Sequence, residues 1–193
     1  PLWQSTGGKV GGALSFDGVD DSINIGASAI LGQTYAVGTP SWPYRAWIYP
    51  KSAGEGGVGR IFKKNIDGTA NASRYLGMTG TNALQFFTDM TCDSVLATTN
   101  TVTLNQWHHV TATFDWSTHM GKIYVSGVEV ASDAGTCNVQ TDAASPLILG
   151  NNAAGTQTFN GLLDDLRIYN RALLASEVAT LAAITPPPIL SLS

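Results

Sequence analysis

Short apolar runs that alternate with a period of two recur along almost the whole chain, and that pattern constrains the fold more than any other feature. The runs are ALSF (13–16), SINI (22–25), YRAWIY (44–49), RIFK (60–63), LQFF (84–87), HVTATF (109–114), KIYV (122–125), VEVA (128–131) and LRIY (166–169). Alternation of this kind gives half-buried strands, because successive side chains on a strand point to opposite faces. Ser126-Gly127 between KIYV and VEVA reads as a tight hairpin turn. LILG (147–150), a continuous apolar run between Ser-Pro and Asn-Asn, reads as a strand buried on both faces. Only ALLASEVATLAA (172–183) has helical spacing, with Leu174, Val178 and Leu181 on one side. About a dozen antiparallel strands and one short closing helix satisfy their edges best as two stacked sheets.

The 193 residues suit one domain with a substantial core of its own. Charged residues are 12% of the chain and glycines number 21, which fits a neutral, turn-rich surface. A formal net charge of -4 leaves no basic footprint for nucleic acid, and no apolar window has the length for membrane insertion. Three consecutive prolines in TPPPILSLS favour an extended linker, so the domain is expected to span residues 1–184 within a longer protein, with 185–193 as a Pro-rich extension. The two cysteines, Cys92 and Cys137, lie in polar stretches without CxxC or zinc spacing. They are expected to form a disulfide in an oxidising compartment, secreted or at the cell surface; two free thiols are the other reading.

Residues 14–25, LSFDGVDDSINI, gather Asp17, Asp20 and Asp21 at one bend in a chain otherwise poor in charge. Such a bend is either a solvated turn or an oxygen cage for a hard cation such as calcium. On YRAWIY, Tyr44, Ala46 and Ile48 point one way and Arg45, Trp47 and Tyr49 the other. The second set could stack and hydrogen-bond a sugar, with Gln85 and Phe87 extending it, or could pack under a covering loop. Trp42, in the GQTYAVGTPSWP insertion, is a further aromatic candidate.

Three segments, GGALSFDGVDDSINI (11–25), NQWHHVTATFD with KIYVSGVEVA (105–131), and LILGNN with FNGLLDDLRIYNRALLASEV (147–178), together resemble the laminin-G-like domains of the concanavalin A-like lectin and glucanase superfamily, in the form found in bacterial secreted proteins. The resemblance implies an all-β, two-sheet antiparallel jelly-roll sandwich. It also implies a first strand some thirty residues ahead of GGAL, a position this chain lacks, so that strand is either lost or replaced by another segment such as ILSLS. It further implies a structural calcium ion between the bend after ALSF and the late strand FNGLLDDLRIY. Asp164 would then face inward with Leu166 and Ile168 and join Asp17 and Asp20 as a ligand, with Asp21 and Asp165 solvated or capping. The alternative is that Asp164 accepts backbone amides from the 17–21 loop without a metal.

Glycoside hydrolases of that superfamily carry paired carboxylates on one strand, whereas the three glutamates here, Glu55, Glu129 and Glu177, lie in unrelated segments. The resemblance makes Trp107-His108-His109 a structural signature, and adjacent strand histidines point to opposite faces. The expected function is a non-catalytic extracellular carbohydrate-binding or adhesion module, with no catalytic residues. Its partner is then a glycan, a polysaccharide or a neighbouring protein module. The alternative is a structural or protein-interaction domain of a surface assembly.

Overall fold

The computed structural model describes residues 1–27, 43–64, 73–89, 94–97, 101–115, 117–135 and 145–183. Among these residues there are thirteen strands and one α-helix. The strands are β1 (Leu2–Gln4), β2 (Ala13–Asp17), β3 (Ile23–Gly26), β4 (Tyr44–Pro50), β5 (Arg60–Lys64), β6 (Ser73–Thr79), β7 (Ala83–Asp89), β8 (Ser94–Ala97), β9 (His108–Asp115), β10 (Met120–Val125), β11 (Val128–Ala134), β12 (Leu147–Leu149) and β13 (Asn160–Ile168). The helix is α1 (Ala175–Ala182).

The strands form a seven-stranded sheet of order β1-β2-β13-β4-β9-β10-β11 and a six-stranded sheet of order β3-β12-β5-β6-β7-β8. Every strand pairing is antiparallel. The core between the sheets takes the inward set of each alternating run: Phe16 from β2, Tyr44, Ala46 and Ile48 from β4, Leu76 and Met78 from β6, Leu84 and Phe86 from β7, Val110 and Ala112 from β9. Tyr44 stacks on Phe62 across the sheets at 4.0 Å between ring centroids. Burial of these side chains at about 25 cal/mol per Å2 is the main driving force for stacking the two layers. The jelly-roll sandwich expected from the sequence is the fold observed.

Two strand expectations need correction. The edge beside β2 is taken by β1, a three-residue strand ahead of GGAL with too short a pattern to read from the sequence; ILSLS lies outside the described residues. The late strand does not keep one phase. A bulge between Asp164 and Arg167, with Asp165 at φ 46°, re-phases β13 against β4. Leu163 therefore sits in the core before the bulge, and Leu166 and Ile168 pack against the core after it, while Asp164 sits opposite Trp47 on the outer face.

On that outer face α1 packs Val178 and Leu181 over Tyr124, together with Tyr169 and Leu173. The helix is capped by the Glu177 carboxylate, which accepts the Leu174 amide at 2.9 Å and both guanidinium nitrogens of Arg171. The helix and the segment before β2 thus cover parts of the large sheet that alternation alone would leave to water.

Candidate functional site

The sugar-stacking surface expected on Arg45 and Trp47 is closed. Arg45 is 1% exposed and Trp47 6%, because neighbouring segments bury this side of β4. Arg45 donates from Nε to the Tyr169 hydroxyl at 3.1 Å and from Nη2 to Asp165 Oδ2 at 2.7 Å, and its Nη1 lies 3.4 Å from His109 Nε2. Trp47 meets the edge of the His109 ring at 5.2 Å, and Lys9 Nζ lies 4.9 Å above the indole. Tyr49 is half-buried against Trp107, with ring centroids 5.6 Å apart. These residues are a packed polar layer of the chain itself. Asp165, expected to be solvated or capping, is the counter-ion of buried Arg45 and also binds Arg167 Nε at 2.7 Å.

Gln85 and Phe87 do not extend that surface; they belong to the other sheet. On the outer side of the six-stranded sheet the ladder places Lys63, Tyr75 and Phe87 in one row and Arg60, Gly77 and Gln85 in the next. Tyr75 and Phe87 are stacked at 5.1 Å and 23°, both half-buried. The Tyr75 hydroxyl donates to Gln85 Oε1 at 2.9 Å, which leaves the Gln85 amide N–H groups to point elsewhere. The Arg60 guanidinium lies 3.7 Å over the Tyr75 ring and donates from Nε to Gln157 Oε1 at 3.0 Å. Burial raises the Tyr75 phenol above its usual value, so it stays a neutral donor at physiological pH. Sequence reasoning missed Tyr75 because Gly77 interrupts the apolar beat of SRYLGMT; the aromatic at the right phase against LQFF was the available signal.

The acidic bend forms only in part as expected. Asp17, Asp20 and Asp21 bring carboxylate oxygens within 4.8 Å of one another. Asp17 Oδ1 accepts the Val19 amide at 2.8 Å, and that bond holds the Asp17 carboxyl below the ordinary carboxylate range. The Asp17 amide in turn donates to Asp21 Oδ2 at 2.9 Å. Asp164 is not a member. The antiparallel register sets Asn160 against Asp17, so Asp164 lies four residues further along β13, roughly 13 Å away. Its Oδ2 accepts the Val10 amide at 2.6 Å, from the segment before β2 and not from the 17–21 bend. Three oxygen-bearing side chains this close suit a hard cation by donor type and spacing. Trp42, Cys92 and Cys137 lie outside the described residues.

The paired histidines diverge. His108 Nε2 sits at the Thr103 backbone, 3.0 Å from its carbonyl, while His109 is fully buried beside Arg45. Burial first, and the Arg45 charge second, lower the His109 pKa to about 4. A histidine whose folded pKa lies below its unfolded value near 6.5 stabilises the fold above that value and loses the contribution as pH falls toward 4. Between pH 7 and pH 5 the wild type is expected to lose about 2 kcal/mol of unfolding free energy through this group. Urea unfolding at the two pH values, with His109→Gln showing a much smaller difference, checks it.

The glutamates take structural partners in three separate places. Glu55 accepts the amide and hydroxyl of Thr158, Glu129 pairs with Lys122, and Glu177 pairs with Arg171. Among the described residues no helix is long and apolar enough to cross a membrane.

Solved structures share this fold at low sequence identity. Domain 4 of an extracellular GH43 arabinanase from Geobacillus stearothermophilus, solved with arabinotriose, is 24% identical, covers 94% of this chain and 82% of its own, and superposes with a TM-score of 0.68. The CBM40 of the Ruminococcus gnavus IT-sialidase, solved with α2,3-sialyllactose, is 13% identical over 84% of this chain and 97% of its own, with a TM-score of 0.64. A SAP-like pentraxin from Limulus polyphemus is 16% identical over 88% and 80%, with a TM-score of 0.61. No curated protein sequence matches the chain. The laminin-G-type family model, described as the concanavalin A-like lectin/glucanases superfamily, matches residues 16–179, and the chain belongs to that family.

Proposed function

We propose that this domain is a non-catalytic, extracellular carbohydrate-binding or adhesion module that takes a glycan on the outer face of its six-stranded sheet. The observation that carries the reading is the stacked, half-buried Tyr75–Phe87 pair with Gln85 beside it. Sugar rings offer C–H faces to such rings and hydroxyls to amides, so an aromatic pair flanked by Gln85, Gln157 and Lys63 has the chemistry a saccharide needs. The neighbours solved with arabinotriose and sialyllactose support glycan binding on this fold. The scattered glutamates, each held by a structural partner, support a non-catalytic role. Phe87→Ala is expected to weaken binding about tenfold or more to whichever glycan an array selects, while the unfolding midpoint of the variant stays close to that of the wild type. Unchanged affinity would remove this face from the reading.

Calcium completes the proposal as a brace for the first bend. Asp17, Asp20 and Asp21 would hold it, and the ion would neutralise their mutual repulsion and fix the Gly18–Asp21 turn. Calcium at a hundredfold excess over its dissociation constant is expected to add about 2.7 kcal/mol of stability. Asp17→Asn should abolish that increment and Asp164→Asn should leave it intact, as read by calcium-dependent thermal unfolding.

A protein-interaction role in a surface assembly is the second reading, favoured by one observation. The edge strand β1 leaves Leu2 75% and Trp3 65% exposed. Silence on a glycan array together with concentration-dependent association through that edge would favour it.

A further inference from the structure

Strands β4 and β9 set four polar side chains in a square on the outer face of the large sheet, Trp47 opposite His109 and Arg45 opposite Thr111. All four are buried. Arg45 is engaged with Tyr169, Asp165 and His109. Trp47 Nε1, His109 Nδ1 and Thr111 Oγ1, by contrast, are buried and make no hydrogen bond among the described residues. The protons can be assigned. A guanidinium has only donors, so His109 Nε2 facing it offers a lone pair, and the ring proton resides on Nδ1. The indole nitrogen is also a donor alone. Two N–H groups thus share one buried square with a single hydroxyl, whose oxygen could accept from either but is hydrogen-bonded to neither. Buried polar groups are nearly always paired, with protein or with ordered water, so three on adjacent positions point to a resident partner.

We propose that this square binds one hydrogen-bond acceptor of single-atom size, a water molecule or a halide ion, which receives the N–H groups of Trp47 and His109 and is completed by the Thr111 hydroxyl. A metal cation is the wrong chemistry here, because the one imidazole lone pair is turned to Arg45. The charges around the square are Arg45, Arg167 and Lys9 against Asp164 and Asp165. That balance tolerates a neutral or singly negative occupant. The bound atom would tie β4 to β9 beneath the segment that carries Lys9 and Val10. This site is on the opposite sheet from the glycan face and stands or falls independently of it.

Crystals grown with sodium bromide and measured at the bromine edge test the site. An anomalous peak within hydrogen-bond reach of both nitrogens identifies a halide, and a peak without anomalous signal identifies water; either supports the proposal. No density there, with Thr111 rotated to accept directly from His109, overturns it. Thr111→Val gives an independent reading in solution. With a resident acceptor the variant loses one of its partners, the unfolding midpoint falls by roughly 2–4 °C, and the Trp47 indole N–H resonance shifts. With no occupant, the isosteric methyl replaces an unpaired hydroxyl and the midpoint rises, which also overturns the proposal.

Discussion

Asp165→Asn is expected to lower the unfolding free energy by about 3 kcal/mol, an unusually large loss for an Asp-to-Asn change. The reason lies across the sheet, where Arg45 is sealed at 1% exposure and Asp165, at 2.7 Å, is its only carboxylate partner among the described residues. Removing one member of a buried pair leaves an uncompensated charge, a larger penalty than losing the pair as a unit. Asparagine retains the left-handed backbone that this position needs, with φ at 46°, and its amide oxygen still accepts one N–H. The measured loss therefore reports charge and not backbone strain. Adding Arg45→Met to Asp165→Asn should recover most of the loss, since the buried cation is then gone. Urea unfolding of the single and double variants decides: a single-variant loss below about 1 kcal/mol would mean that the pair is not balanced as the burial implies.

Gly150→Ala is expected to cost about 3–5 kcal/mol and to lower the thermal midpoint by roughly 10 °C. A Cβ at this position would lie 1.9 Å from Cε1 of Phe16, a fully buried core ring. Its φ of +76° adds the strain of the left-handed region. The backbone has little room to retreat, because the Gly150 amide donates to Ile61 and its carbonyl accepts Phe159. Phe16→Leu added to Gly150→Ala should relieve the clash but not the strain, so partial recovery is the expected result. Full recovery would assign the whole effect to packing.

Much of the fold was legible in the sequence because each long strand buries one face, and burial imposes the period-two pattern that can be read. Tyr44, Ala46 and Ile48 went inward as the alternation of YRAWIY required. The site was less legible, for three physical reasons. Outward alternation does not reveal what lies on top, so Arg45 and Trp47 looked like a surface until Lys9, Tyr169 and Asp165 were seen to cover them. Register decides which distant carboxylates meet, and the Asn160–Asp17 pairing separated Asp164 from the bend that it was expected to join. Which sheet a strand enters is also silent in its pattern: Phe87 lies on the six-stranded sheet, stacked on Tyr75, and not beside Arg45 and Trp47.

The extra residue in β13 gives one strand two separate alignments with its neighbour. The segment Gly161–Asp164 is locked to Pro50–Trp47, and Arg167–Ile168 to Arg45–Tyr44, with a joint between them that belongs to neither. A slip in one half need not propagate into the other, so the inward seating of Leu163 and that of Ile168 are secured independently.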